Sequence, residues 1–346
     1  MHHDEINQAI SRCLSSGQTI GRVTVALSGG LDSMVLLDAS HRIQQAFSAN
    51  NATNSAPIMV LDAIHVHHGL SPNADDWAKF CQVACDARGI SLKVARVHID
   101  RTQTEGQGVE AAARRARHAV FADSGAPLIL AGHHADDQAE TVLHQLLRGT
   151  GLAGMAAMGE ARRLSLSLST SQWLRRPLLS IPRAVLTAYA QDHALTWVED
   201  ESNADTAYTR NFIRHQLLPL IGARFPHYAA SLARAAKHAA DSVVMQEALA
   251  KIDLQWDGAT ARAEKLDDLD LPRQANALYH WLRWLDVTPP SHAMLETWAG
   301  QLFRASPTDK PHQAGGHDFV IRRKHGVLTL ASLAKTAPQD EGESAA

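Results

Sequence analysis

The sequence predicts an α/β fold: a doubly wound, mostly parallel sheet, then a helical linker and a small α+β C-terminal domain. Three observations carry this expectation. Short β-type apolar runs alternate with helix-length periodic stretches over the first half of the chain. A glycine turn stands at the first strand-to-helix junction. Beyond about residue 222 the alternation gives way to a long alanine-rich run, then to two helical patterns and two short strands.

Taken in order, strands are expected at Val23–Leu27, Ile58–Val66, Ile90–Val97 and Leu128–Ala131, each rich in β-branched or aliphatic residues. Helices are expected after them, at about Ser33–Phe47, Asn73–Arg88, Val109–Ala122 and Asp136–Leu147. The polar tract SANNATNSAP separates the first helix from the second strand and reads as a surface loop. Arg162–Thr170 alternates Leu with Ser, the pattern of a half-exposed edge strand. Pro182 suits the start of a helix. Another helix runs from Arg210 towards Ile221 and stops at Gly222. The alanine-rich run Tyr228–Ile252 leads out of the first domain. Helices at Arg273–Leu285 and Met294–Phe303 follow, with strands at Phe319–Arg322 and Val327–Leu330. The expected domains are 1–222, 223–335 and a disordered acidic tail, 336–346.

Composition narrows the class. A chain of 346 residues, 45% hydrophobic and 20% charged, fits a globular protein of two domains. The net charge of −3 does not exclude nucleic acid, because binding needs a local basic surface rather than a basic total. Three cysteines, Cys13, Cys81 and Cys85, are too few for a disulfide framework and fit a reducing compartment. The first residues carry no apolar segment of a signal peptide, and no apolar run approaches the roughly 20 residues of a membrane span. A cytoplasmic protein that makes no use of a membrane is expected.

The stretch VTVALSGGLDSMVLL holds the first chemistry. Gly29 and Gly30 let the backbone turn sharply and approach an anion. The helix beyond them presents free N–H groups and the positive end of its dipole. Ser28 and Ser33 add hydroxyls. Asp32 would repel phosphate directly, so its role there is to hold a Mg²⁺ that bridges phosphates. The plainer alternative is a structural turn with a serine cap. A Walker loop would supply a lysine, and none occurs before Lys79.

Four further stretches follow: HVHHGLSPNADDWA from His65, AGHHADDQAETVLHQLLRGTGLAGM from Ala131, LRRPLL from Leu174, and WVEDESNADTAYTRNFIRHQLLPLI from Trp197. The glycine loop resembles the PP-loop of N-type ATP pyrophosphatases, the adenine nucleotide alpha hydrolase-like fold. With the other stretches the chain is similar to the tRNA(Ile)-lysidine synthetase family from about Gly21 to Ile221, and more weakly over Leu271–Leu330. The resemblance implies ATP and Mg²⁺ as cofactors. It implies adenylation of the wobble cytidine of a CAU-anticodon tRNA(Ile), then attack of free L-lysine at C2 with release of AMP. It also implies a possible homodimer. ATP would then contact Ser28, Gly29, Gly30, Leu31, Asp32, Ser33, His65 and His133.

An ε-ammonium is neutral in only about one molecule in 2,500 at pH 7, so the site must bind a cation and then take its proton. Asp137 and Glu140, at the start of the Asp136 helix, suit that work, with Asp32 as the third catalytic carboxylate. Asp136 and Glu140 are expected on one helix face; for Asp136 plain helix capping is the alternative. Arg114, Arg117, Arg148, Arg210 and Asn211 are the candidates for lysine or tRNA. For Arg114 and Arg117 a merely solvated face competes, and Arg117-His118 stands where family members often have Arg-Tyr. The histidines His65, His67, His68, His133 and His134 also permit a zinc site. Longer family members carry a further C-terminal domain, so tRNA grip here could fall to Arg304, to Arg322-Arg323-Lys324, or to the Arg114 helix. The rivals are a PP-loop tRNA thiolase, which needs reactive thiols, an amidating synthetase, and a non-catalytic ATP- or RNA-binding module.

Overall fold

The computed structural model describes residues 2–15, 21–50, 59–99, 108–164, 172–201, 205–206, 208–258, 260–303, 312–315 and 319–332. The chain forms two compact units, Met1–Ala240 and Asp241–Ala346. The first contains α1 (His2–Ser15), β1 (Arg22–Ala26), α2 (Leu31–Asn50), β2 (Val60–His67), α3 (Ala74–Asp86), β3 (Ser91–Arg96), α4 (Gly108–Asp123), β4 (Leu128–Leu130) and α5 (Ala135–Leu147). It continues with α6 (Leu152–Met155), β5 (Ala161–Arg163), β6 (Trp173–Arg175), α7 (Arg183–Asp192), α8 (Thr209–Phe212), a π-helical turn at Ile213–Leu217, and α9 (Leu218–Arg224). The long helix α10 (Tyr228–Asp253) carries the division between the units within it, at Ala240/Asp241. Sequence placed that boundary at the helix's approach, near residue 222.

Six strands form the first sheet in the order β3-β2-β1-β4-β6-β5. All pairings are parallel except β5 with β6, so the expected doubly wound sheet forms, with the antiparallel strand at its edge. The chain builds outwards from β1 to β3, then restarts on the other side with β4. The resulting crevice between the carboxyl ends of β1 and β4 is where such sheets bind ligands. Val23 and Val25 on β1 and Val35, Leu36 and Leu37 on α2 are fully enclosed, because α2 is covered both by the sheet and by α1 and α7. A helix buried on most of its circumference reads as apolar all round rather than as amphipathic.

The helices α1 and α6 and the strand β6 were not expected. α1 carries a polar N-terminal sequence, yet Ile6 and Ile10, one helical turn apart, are sealed against the α2 layer. β6 is only Trp173-Leu174-Arg175, too short for an alternation to register. The helix expected to end at Gly222 continues to Arg224 with the π-turn inside it. α2 extends to Asn50, into the expected loop. Residues 165–171, Arg304 and the acidic tail lie outside the described residues.

The second unit adds β7 (Ala261–Arg262), a 3₁₀ turn at Glu264–Asp268, α11 (Leu271–Trp284), α12 (His292–Phe303), β8 (His312–Gly315), β9 (Phe319–Lys324) and β10 (Val327–Ser332). Its antiparallel sheet runs β7-β10-β9-β8. Leu278, Leu282, Ala299, Leu302 and Ile321 are enclosed in its separate core. No described helix is long and apolar enough to cross a membrane.

One buried charge ties the first unit together. Asp38 on α2 accepts hydrogen bonds from Arg42 Nε (2.7 Å), Arg88 Nη2 (3.0 Å) and the Tyr189 hydroxyl (3.0 Å). Burial alone would raise its pKa; the Arg42 and Arg88 bonds overcome that and hold it below the usual carboxylate value. A depressed pKa contributes stability above the unfolded value, near 3.9, that is lost as pH falls through the folded one. Asp38→Asn should therefore destabilise the first unit by about 3–5 kcal/mol at neutral pH in urea unfolding. The difference from wild type should shrink below about pH 4.

Candidate active site

The turn after β1 is built by its own serines. The Ser33 hydroxyl accepts from the Ser28 and Gly29 N–H groups (both 3.2 Å) and donates to the Gly30 carbonyl (2.9 Å). The Gly30 N–H donates to the Ser28 hydroxyl at 3.3 Å. The two hydroxyls expected to meet phosphate are thus engaged within the loop. α2 begins at Leu31, so the N–H groups of Leu31, Asp32 and Ser33 are those lacking an intrahelical carbonyl. Gly29 has φ +90°, and a Cβ there would meet Val198 Cγ2 at 3.0 Å and Cys81 Sγ at 3.2 Å. Only glycine fits such backbone and such contact.

Beneath the loop, His65 Nδ1 donates to the Leu27 carbonyl at 2.8 Å, with the ring only 5% exposed. This geometry gives no support to the expected contact of His65 with ATP; the ring braces the strand end that carries the loop. Cys81 packs beside it. Burial pushes the Cys81 thiol up to about 12 and Cys85 to about 11, so neither is a ready nucleophile.

Across the crevice, β4 runs into α5. A Cβ on Gly132 would stand 3.0 Å from the Asp32 carbonyl oxygen, so the two turns touch through backbone. His134 caps α5: its Nδ1 accepts from the Asp137 N–H at 3.4 Å, and Asp137 Oδ2 accepts from the His134 N–H at 3.1 Å. His134 Nε2 lies 3.5 Å from both Asp32 Oδ2 and Asp137 Oδ2. Burial lowers the His134 pKa, and the carboxylates Asp32, Asp137 and Asp136 outweigh it, for a net rise. The cap requires an unprotonated Nδ1, so the neutral ring carries its proton on Nε2, directed at the carboxylates.

The carboxylates of α5 divide their work. Asp136 accepts from the Arg183 N–H (2.9 Å) and the Tyr228 hydroxyl (3.3 Å), tying α5 to α7 and α10. Asp137 and Glu140 share Arg214, whose Nη2 donates to Asp137 Oδ1 and Glu140 Oε2, both at 3.0 Å, while its Nε donates to Glu140 Oε1. Arg210 Nε lies 3.6 Å from Glu140 Oε2. The Glu140 side chain is 1% exposed and that of Asp137 14%. Burial raises the Glu140 pKa, with the Arg214 bonds opposing. Arg214 is a site residue that sequence reasoning misses; its spacing of four from Arg210 is the available signal. His134, rather than the expected His133, is the histidine that meets Asp32 and Asp137.

Of the other candidates, Asn211 donates to the Asp205 carbonyl at 2.8 Å. Arg148 caps the far end of α5, about 17 Å along the helix from Asp137, so the structure does not bring it to the carboxylates. Arg114 and Arg117 are exposed on α4 and act on their neighbours through charge. Burial first, then these arginines with Arg162 and Arg176, pushes His118 down to about 4. His68 is pushed to about 4 by burial and Arg117. His133 is also lowered, by burial foremost, and its Nδ1 has no hydrogen-bond partner among the described residues. Among the described residues no group of three His, Cys, Asp or Glu is placed to hold a metal by itself. The buried Asp32 Oδ1, however, has no hydrogen-bond partner among the described residues. An orphaned carboxylate oxygen beside a helix N-terminus fits Mg²⁺, which takes one or two carboxylates and leaves the rest to phosphate and water.

Glycine loop, switch-point crevice and paired carboxylates together define a nucleotide-binding α/β domain without a Walker lysine. The PP-loop domain family matches residues 2–221 and the TilS substrate binding domain matches residues 262–329. The chain belongs to the tRNA(Ile)-lysidine synthase family. It is 39% identical over 326 residues to the tRNA(Ile)-lysidine synthase of Chromobacterium violaceum, covering 92% of this chain and 69% of that one. With the proteins of that name from Azoarcus sp. and Burkholderia pseudomallei it shares 42% and 44% identity, covering 82% and 81% of this chain. It spans 60% and 55% of those two relatives' lengths. The fold is also that of the U34-tRNA thiolase NcsA from Methanococcus maripaludis, at TM-score 0.51 and 19% identity, covering 68% of this chain and 79% of that one.

The charge pattern predicts an order of titration. In a histidine-resolved NMR titration, His134 should titrate above the ordinary value near 6.5, and His68 and His118 near 4. Added pyrophosphate should raise His133 by placing negative charge beside it.

Proposed function

We propose that this chain is a ligase that joins free L-lysine to C2 of the wobble cytidine of CAU-anticodon tRNA(Ile) at the expense of ATP. The observation that carries the reading is the Asp137–Glu140–Arg214 cluster, held beside Asp32 and the glycine loop by His134. Family membership supports the substrates.

ATP lies with its phosphates over the N–H groups of Leu31, Asp32 and Ser33, where the dipole of α2 favours negative charge. Asp32 would hold Mg²⁺, which would supply positive charge towards the pyrophosphate leaving group. In the first step cytidine O2 attacks the α-phosphorus, and the bond to the β-phosphate oxygen breaks. His133, uncharged at neutral pH, offers a ring nitrogen to the phosphates. The second step needs an amine lone pair. Asp137, the more exposed of the two clamped carboxylates, receives the ε-ammonium and is placed to take its proton. The amine then attacks C2, the C2–O2 bond breaks, and AMP leaves with that oxygen. Glu140 is sealed, so its task is to hold Arg214 and through it Asp137. Arg210 is the candidate for the lysine carboxylate.

A thiolase would need a reactive thiol, and the buried cysteines with raised pKa argue against it. The test is incubation with ATP, Mg²⁺, radiolabelled lysine and CAU-anticodon tRNA(Ile). Label should enter the tRNA, and a wobble uridine should prevent it. Asp32→Ala should reduce pyrophosphate release by about a hundredfold or more, as expected for loss of transition-state charge stabilisation. Label in the uridine variant, or in neither RNA, would contradict the reading.

A further inference from the structure

The sequence Arg322-Arg323-Lys324 offers three adjacent cations, and the structure separates them. Successive side chains on a strand point to opposite faces. Arg323 points inwards. It donates to Asp267 Oδ2 at 2.7 Å and to the Leu302 carbonyl at 3.1 Å, and its guanidinium stands 5.5 Å from the Phe303 ring. Its side chain is 14% exposed. It is a structural residue of the second core.

Arg322 and Lys324 occupy the other face, and both are exposed. Register extends that face across the sheet. Val327 on β10 stands opposite Lys324, and Arg262 on β7 stands opposite Val327. Arg262 is exposed as well, while its neighbour Ala261 faces the core. Thr329 lies opposite Arg322 on the same face, its hydroxyl 3.4 Å from the Arg322 carbonyl. Three cations thus share one sheet surface, about 7 Å apart along β9 and about 10 Å apart across two strands. None of the four strands contains an aspartate or glutamate. Glu264, in the 3₁₀ turn after β7, packs over Gly326 at the β9–β10 turn. Among the described residues none of the three forms an ion pair, and exposed cations gathered in this way raise one another's field and repay a polyanion that neutralises them. The absence of any aromatic side chain among Arg262, Arg322, Lys324, Val327 and Thr329 points to backbone contacts rather than stacked bases.

We infer that the outer face of the small antiparallel sheet, through Arg262, Arg322 and Lys324, grips the phosphate backbone of the tRNA substrate. This rests on the tRNA reading above and assigns its grip to a surface remote in sequence from the glycine loop. Phosphate contacts carry no base information, so the face supplies affinity and not anticodon choice.

The test compares the full chain with a variant carrying Arg262→Ala, Arg322→Ala and Lys324→Ala. tRNA dissociation constants are measured at salt from about 50 to 200 mM, where each phosphate contact weakens binding about 2.6- to 3.5-fold. Over that range wild-type affinity should fall about 20- to 40-fold more steeply than that of the variant, equally for cognate and non-cognate tRNA. The exchange variant Arg322→Lys with Lys324→Arg should keep the wild-type slope, and the ATP dissociation constant should stay unchanged in both. Equal slopes for wild type and triple variant, in protein whose melting temperature is unaltered, would overturn the inference. So would a loss confined to cognate tRNA. Lysine incorporation by wild type is scored separately, so an active enzyme with an unchanged slope refutes this face and leaves the catalytic reading standing.

Discussion

The arrangement depends on one guanidinium. Arg214 stands between Asp137 and Glu140 and is the counter-charge that lets two carboxylates share the first turns of α5. Without it, the sealed Glu140 would face a second carboxylate in low dielectric, and a like-charge pair of that kind cannot stay doubly ionised. The dipole of α5 helps, since acids at a helix N-terminus meet its positive end. It does not reach far enough to replace a bidentate arginine. The π-turn at Ile213–Leu217 is where the chain delivers this side chain, in keeping with the habit of such turns to occur at functional positions.

The sheet brings the rest to the same place. β1 and β4 are neighbours although much of the domain separates them in sequence, because the chain reverses its direction of growth between them. Their carboxyl ends deliver Asp32 and His134 across a gap of 3.5 Å. Gly132 permits the close approach, and Gly29 allows the loop to settle on Cys81 and Val198. Cys81 and His65 therefore serve the site by shape and by one hydrogen bond to Leu27, rather than by chemistry.

The sequence made some of this legible and concealed the rest for physical reasons. The alternation of strand and helix, the glycine turn and the acidic start of α5 are local signals, and each appeared where expected. The pairing of Glu140 with Arg214 spans 74 residues and leaves no local trace. Asp136 looked like the partner of Glu140 by helix periodicity, yet α7 and α10 claim it through Arg183 and Tyr228. Ser28 and Ser33 were recognised as loop residues, but only geometry shows their hydroxyls bonded to the loop itself. His133 and His134 are adjacent, and their opposite pKa shifts come from their surroundings in space: burial, helped by arginines, lowers the one, and carboxylates outweigh burial for the other. Arg322-Arg323-Lys324 likewise reads as one basic run and folds as two faces.

Under the proposed function, Arg214, Glu140 and Asp137 act as one unit that serves lysine and not ATP. A double-mutant cycle on the lysine KM tests it, using Arg214→Met, Glu140→Gln and their combination. Each single change should raise the lysine KM about tenfold or more while the ATP KM moves less than about twofold, and the double variant should be no worse than the worse single. Losses that multiply in the double variant, or an ATP KM that rises in step with that for lysine, would contradict the account.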